Sequence, residues 1–163
     1  MILSVPLAWV IGSIAGSFGA VMMSLLAAEP KKKAPELAKK GDVPKKFDEK
    51  SLKESSEAAL KWLNFVDAES YEKSWDEASK VLQLTVPRLQ WVKILDQIRK
   101  PLGKQSGRKM SDQRVAKDPK GLPPGDYMVF FYNTQFVKHK DGYELLTLVH
   151  DNGKWQVMTY QVN

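Results

Sequence analysis

The chain has 163 residues, no cysteine, and 25 lysine and arginine residues against 19 aspartate and glutamate residues, for a formal net charge of +6 at pH 7. The lack of cysteine excludes disulfides and a lipid anchor attached through a cysteine. Residues 51–163 are enough for one folded domain whose core is stable without disulfides or metal.

The N-terminal segment is the most apolar part of the chain. Residues 2–28 carry no ionisable side chain, and eight lysines follow within the next 22 positions. Roughly 20 apolar residues suffice to cross a bilayer as a helix. Small residues before Glu29 are also typical of a secretory cleavage site. We therefore expect an N-terminal apolar helix over residues 1–28, either a cleaved signal peptide or a retained membrane anchor.

Residues 29–50 are predicted to form a disordered, lysine-rich linker. Eight lysines and five acidic residues give this segment a balance of +3, and large apolar side chains are almost absent. Such a composition buries too little apolar surface to offset the entropy of ordering the chain. The linker is either a solvated spacer or a contact to anionic lipid head groups. Lysines after a retained helix favour a cytoplasmic position for the domain, so its side of the membrane is left open.

Three helices are predicted next. Apolar side chains recur with helical spacing over residues 51–68, 71–82 and 87–99, and Ser70 is the predicted N-cap of the second helix. Pro87 suits the first turn of the third helix, and Pro101 disfavours helical geometry just beyond its end. The residues expected to face the core on these helices are Ala59, Trp62, Leu63, Val66, Tyr71, Trp75, Ala78, Leu82, Leu89, Trp91, Val92, Leu95 and Ile98.

Strands follow the helices. Residues 104–117 are polar and predict an edge strand interrupted at Gly107, and residues 118–126 form a loop rich in proline and glycine. Three further strands alternate with tight turns at residues 127–137, 143–150 and 155–162. Helices followed by a strand meander predict an α+β fold: about three helices packed on a four-stranded antiparallel sheet.

Several short blocks are typical of one bacterial family. They are Ala59-Leu60-Lys61-Trp62-Leu63 with Asp67, Tyr71 with Ser74-Trp75, Trp91, Arg99-Lys100-Pro101-Leu102-Gly103 with Arg108, Pro124-Gly125-Asp126-Tyr127, Phe136, Glu144, and Gly153-Lys154-Trp155 to Tyr160. On these residues the chain resembles the domain of unknown function 4019 family over positions 58–163. Members look like exported or envelope-anchored proteins, which implies export to the periplasm or cell envelope, with or without an inner-membrane anchor. The element order is also similar to a cystatin-like or NTF2-like cone, a likeness of fold alone.

Residues 99–120 concentrate positive charge, with eight basic and two acidic residues. A basic edge strand attracts an anionic partner, such as a lipid surface, a cell-wall polymer or nucleic acid, or it serves only to prevent edge-to-edge aggregation. Aromatic side chains are absent from this stretch, which argues against single-stranded nucleic acid. The candidate binding residues are Arg99, Lys104, Arg108 and Lys109. For the two arginines we favour a structural pairing with a carboxylate such as Glu144.

A pocket between helices and sheet is the competing site. Asp67, Tyr71 and Trp75 are its candidate residues, with Asp67 as a base if it faces a cone-shaped cavity. His139 and His150 lack the companion ligands of a metal site, so neither metal nor cofactor is expected. The leading hypothesis is a non-enzymatic interaction module for a protein partner or an anionic envelope component, tied to the membrane by its N-terminal segment. The alternative is a small-molecule-binding or catalytic NTF2-like pocket. The oligomeric state is left open.

Overall fold

The computed structural model describes Phe47 and residues 49–163. The predicted apolar helix over residues 1–28 and nearly all of the linker over residues 29–50 lie outside the described residues. Among the residues that are described, no helix is both long and apolar enough to span a membrane. Phe47 is buried, and its ring centre lies 6.3 Å from that of Trp155.

Four helices come first in the described chain: α1 (Glu49–Asp67), α2 (Tyr71–Asp76), α3 (Lys80–Thr85) and α4 (Arg88–Arg99). The helix predicted over residues 71–82 is therefore two short helices. They separate at Ser79, which has extended backbone geometry and whose amide donates to Val157 O in the sheet at 2.9 Å. The Ser79 hydroxyl accepts from the Leu82 amide at 3.3 Å and so begins α3. This hydrogen bond to the sheet interrupts the helix at Ser79, although the spacing of apolar side chains continues across it.

The two longest helices end at defined positions. Glu69 adopts a left-handed conformation, with φ 56°, just after α1, and the Ser70 amide donates back to Phe65 O at 2.8 Å. Ser70 stands before α2 as predicted, but its side chain makes no capping hydrogen bond. The helix α4 ends at Arg99 as predicted, but it begins at Arg88, with Pro87 as its N-cap rather than in its first turn. Gly103, with φ 77°, turns the chain away from α4 towards the sheet.

The sheet has four antiparallel strands in sequence order: β1 (Gln105–Lys117), β2 (Asp126–Phe136), β3 (Gly142–Asp151) and β4 (Lys154–Val162). The predicted α+β class and strand meander are thereby confirmed. The pairing of β1 with β2 shifts register twice, between Gln105 and Gly107 and between Met110 and Asp112. The first shift lies where the sequence predicted an interruption of the edge strand.

The core lies between the helices and one face of the sheet, and most of the predicted apolar positions contribute to it. Leu89 is an exception, because 76 % of its surface is exposed. Trp91 and Leu95 set the inward face of α4, and a residue two positions before Trp91 lies about 200° around the helix from it. The expectation that Leu89 faces the core was therefore wrong.

Candidate functional site

Four charged side chains meet inside the molecule where two helices end against the sheet. Asp67 is the last residue of α1 and Arg99 is the last residue of α4, so both helices bring a charged side chain to this point. Arg108 comes from β1 and Glu144 from β3. These four residues are called the arginine cluster below. Two cations and two carboxylates give it no net formal charge.

Each arginine of the cluster bridges both carboxylates. Arg99 donates from Nη2 to Asp67 Oδ1 at 2.8 Å and from Nη1 to Glu144 Oε1 at 3.1 Å. Arg108 donates from Nε to Glu144 Oε2 at 2.6 Å, and from Nη1 and Nη2 to the two oxygens of Asp67 at 2.8 and 3.0 Å. The predicted pairing of both arginines with Glu144 is confirmed. The sequence did not indicate Asp67 as a second shared partner.

The carboxylate of Glu144 is fully buried and fully engaged. Besides the two arginines, it accepts from the Tyr160 hydroxyl at 2.6 Å and from the Thr134 hydroxyl at 2.7 Å. The Tyr160 hydroxyl in turn accepts from Arg99 Nη1 at 3.2 Å. A buried charge is tolerated only when it is paired and hydrogen-bonded. Glu144, on β3, meets that condition, because Thr134 of β2, Tyr160 of β4 and the two arginines all donate to its carboxylate.

The protonation of the surrounding groups follows from burial and charge. Burial acts to lower the pKa of Arg108, but hydrogen bonds to Asp67 and Glu144 outweigh it and raise that pKa. Burial, and next the charge of Glu144, raise the pKa of Tyr160 well above its usual value. Burial raises the pKa of Tyr132 to about 12. Arg108 therefore stays charged and both phenols stay neutral at neutral pH, so none of the three exchanges protons there.

An aromatic ring supports the cluster from the hairpin between β2 and β3. The guanidinium carbon of Arg99 lies 4.6 Å from the centre of the Phe136 ring, a cation–π contact. Gly142 makes room for that ring, because a Cβ atom there would lie 2.9 Å from Phe136 Cδ2 and 2.8 Å from Thr134 O. A glycine at the start of β3 is thus required by the close approach of its neighbours.

The arginine cluster holds the edge strand β1 in place. Among the described elements, β1 packs chiefly against β2, and no helix lies along it. Arg108 is the side chain that joins β1 to Asp67 at the end of α1 and, through the shared carboxylates, to Arg99 at the end of α4. Two of the four predicted binding residues, Arg99 and Arg108, are therefore used to fix the strand that carries Lys109.

The other two predicted binding residues remain available. Lys104 and Lys109 are exposed, and neither forms an ion pair within the described part of the chain. Lys138 and Lys140, which precede the turn into β3, share both properties. Lys104 O accepts from the Val137 amide at 2.9 Å, which places it next to Lys138. We call these four residues the lysine quartet. Sequence reasoning missed its last two members, although their position beside the Asp141-Gly142 turn was a usable signal.

A shallow groove of about 540 Å³ lies beside the lysine quartet. It is lined by Gly107, Arg108, Lys109, Asn133, Thr134, Gln135, Lys140, Asp141 and Gly142. Gly107 leaves space on this surface, because an added Cβ would lie 3.3 Å from the Gln135 amide oxygen. Arg108 and the Thr134 hydroxyl already donate to Glu144, so the ammonium groups of Lys109 and Lys140 and the amides of Asn133 and Gln135 are the donors left along the groove, beside one carboxylate, that of Asp141. This chemistry suits carboxylate or phosphate groups.

The predicted pocket residues line neither of the two grooves found among the described residues. Asp67 belongs to the arginine cluster, and Tyr71 is buried in the core. Trp75 is half-buried, with its indole donating to Val86 O at 2.7 Å. A second groove, of about 400 Å³, lies between α1 and the start of β4, but none of these three residues lines it.

The histidines also lie apart from the arginine cluster. The ring of His150 is 5.0 Å from that of Trp155, and His139 is partly exposed near the β2–β3 turn. Within the described residues, no group of three histidine, cysteine, aspartate or glutamate side chains is arranged to hold a metal ion.

One comparison with known proteins identifies the family. The model of a family described as "protein of unknown function (DUF4019)" matches residues 58–160, well over half of the 163-residue chain. All four residues of the arginine cluster fall within the matched range. No curated protein matches the chain. The chain belongs to the DUF4019 family.

Proposed function

We propose that this DUF4019 protein is a non-enzymatic interaction module that binds an anionic partner at the lysine-bearing end of its sheet. One observation carries the proposal. Of the basic residues gathered at this end, the two arginines are neutralised by buried carboxylates, whereas the four lysines have no ion pair among the described residues. The uncompensated positive charge is therefore on the surface, beside the groove.

The chemistry of lysine fits such a role. Its ammonium is a compact point charge on a flexible stem, which adapts to anionic groups of varied geometry. Several like charges in one region also raise the local concentration of an anionic partner and speed its association. The amides of Asn133 and Gln135 add donors that orient a bound carboxylate or phosphate group.

The proposal places the domain in the cell envelope. It rests on the uncharged segment 2–28, which is apolar enough to serve as an export signal or a membrane anchor. An anionic partner in that location is a protein segment, a cell-wall polymer or a lipid surface. These sources share the same charged groups, and a binding experiment separates them.

The test is charge reversal of the lysine quartet in the full chain. We expect Lys104→Glu, Lys109→Glu, Lys138→Glu and Lys140→Glu together to weaken binding of polyglutamate more than about tenfold at low salt, because each surface lysine contributes about 1 kcal/mol to an anionic contact. Vesicles of neutral and anionic phospholipid in equal amounts form a second arm, which tells a lipid source from a carboxylate source. Sedimentation or fluorescence anisotropy measures both.

The matched control reverses four exposed helix lysines, Lys53, Lys61, Lys80 and Lys93, and so has the same net charge. We expect the midpoint of urea unfolding to stay unchanged in the quartet variant, because its side chains make no ion pairs among the described residues. Equal losses of binding in the two variants would mean that net charge alone governs association, and the proposed site would be abandoned.

A further inference from the structure

The two edges of the sheet, β4 and β1, differ in how far other described elements cover them. At β4, the Ser79 amide donates to Val157 O at 2.9 Å, and the Gln156 side chain donates to Ala78 O at 3.4 Å. The link between α2 and α3 thus covers part of that edge. At β1, no described strand pairs with the outer edge, and no described helix packs along it. One edge is closed and the other is open.

The open edge is long and regular over its second half. The strand β1 has 13 residues and contains no proline, so every residue carries a main-chain donor and acceptor. Its pairing with β2 is continuous from Asp112 to Lys117, beyond the second register shift. Unpaired main-chain groups on such an edge are a template for another extended chain.

The charge on β1 determines which kind of extended chain can pair with its open edge. Asp112 is the one acidic residue of the strand, and Arg114 donates to it at 3.0 Å. Lys109 lies just before the regular stretch. Lys117 ends it, with a long, partly exposed ion pair to Asp126 at 3.7 Å, of a kind that contributes little and leaves the ammonium accessible. The strand carries more basic than acidic residues, so a second copy of β1 would on balance add like charge along the edge. An acidic segment would place carboxylates near the same lysines.

The structure therefore leads us to infer that β1 receives an extended acidic segment of a partner protein as a fifth strand of the sheet. Main-chain hydrogen bonds to residues 112–117 provide the pairing, and contacts to Lys109 and Lys117 provide the preference for acidic side chains. This inference rests on the proposed function and names its partner. Arg108 contributes by anchoring β1 to the helix ends, so the strand is held without a helix covering its edge.

Lys109 pairs with Asn133 and Lys117 with Asp126, so the two lysines lie on opposite faces of the sheet. The experiment therefore uses the full chain and a peptide of Glu-Glu-Val-Val repeats, which has carboxylates on both faces when extended. Binding is measured by fluorescence anisotropy, and amide hydrogen exchange is followed by NMR with and without the peptide. We expect exchange to slow at alternate residues within 112–117, whose amides point away from β2, and to stay unchanged in β4. The same peptide with every amide N-methylated keeps its charges but cannot donate main-chain hydrogen bonds. We expect it to bind at least about tenfold more weakly.

Two results would overturn strand addition. Equal binding of both peptides, with no slowing of exchange in β1, would leave a lysine-dependent electrostatic contact, so the proposed function would survive without this inference. Slowed exchange in β1 of the free protein at rising concentration would mean that a second copy occupies the edge. As a protein-side check, Lys109→Glu with Lys117→Glu should weaken peptide binding, whereas Lys53→Glu with Lys61→Glu should not.

Discussion

Two arginines and two lysines of one basic stretch, residues 99–120, have opposite positions in the fold. The side chains of Arg99 and Arg108 are only 5 % and 10 % exposed, and each contacts two carboxylates. Lys104 and Lys109, from the same stretch, are exposed and unpaired among the described residues. A count of charges along the sequence treats the four residues as equal. In the structure, the arginines are core residues and the lysines are surface residues.

The difference follows from the shape of the two side chains. A guanidinium is planar, carries five donors in a fixed fork and is less strongly hydrated than an ammonium, so it can enter the interior and bridge two carboxylates at once. A lysine at either position would engage fewer carboxylate oxygens and would lose more hydration. In a basic stretch, therefore, only the residues that no buried carboxylate neutralises indicate a binding surface.

Removing the central carboxylate, that of Glu144, should have the largest effect of the changes considered, because both buried arginines depend on it. We expect Glu144→Gln to lower the free energy of unfolding by about 3–5 kcal/mol, because two buried arginines then share the single carboxylate of Asp67. Guanidinium chloride denaturation measures it. The control is Asp112→Asn, at a partly exposed ion pair on β1, where only a small change is expected. Similar midpoints for the two variants would show that the arginine cluster does not stabilise the fold.

Two tyrosines that point into the same interior should give unequal effects. Tyr160→Phe removes a hydroxyl that hydrogen-bonds to Glu144 and Arg99, and we expect a loss of about 1.5–3 kcal/mol. Tyr132→Phe removes a buried hydroxyl that has no hydrogen-bond partner among the described residues, so stability should stay the same or rise. Urea unfolding of both variants is the measurement. The reverse order would contradict the hydrogen bonding described here.

The smallest expected effect is the pH dependence at the alkaline end. Burial raises the pKa of Tyr132 to about 12 in the folded protein, from the ordinary tyrosine value of 10.0. Between these values the folded state keeps a proton that the unfolded state releases, so stability falls as the pH rises. That contribution is fully present below about pH 10. We expect the slope of unfolding free energy against pH to be shallower in Tyr132→Phe, and an unchanged slope would refute the assignment.

Gly107 and Gly142 differ in how much of their structural role could be predicted from the sequence. An interruption at Gly107 was predicted, and a register shift is found there. The need for glycine at position 142 comes from Phe136 and Thr134, which reach it only when β2 and β3 pair. The turn signal at Asp141-Gly142 was visible in the sequence, but the support that this glycine gives to the Phe136 ring under Arg99 was not. Contacts of that kind join residues that no local pattern links.

The sequence by itself determined the α+β class, the order of helices and strands and the end of α4, which follow from local periodicity and from turn and cap residues. The family resemblance singled out Arg99 and Arg108, for which a pairing with a carboxylate such as Glu144 was favoured. Only the tertiary structure decided that Asp67 and Tyr160 complete the arginine cluster, that a hydrogen bond to the sheet divides the second helix, and that Lys138 and Lys140 join Lys104 and Lys109. Each of these depends on elements far apart in the chain, whose approach is set by packing rather than by neighbouring residues.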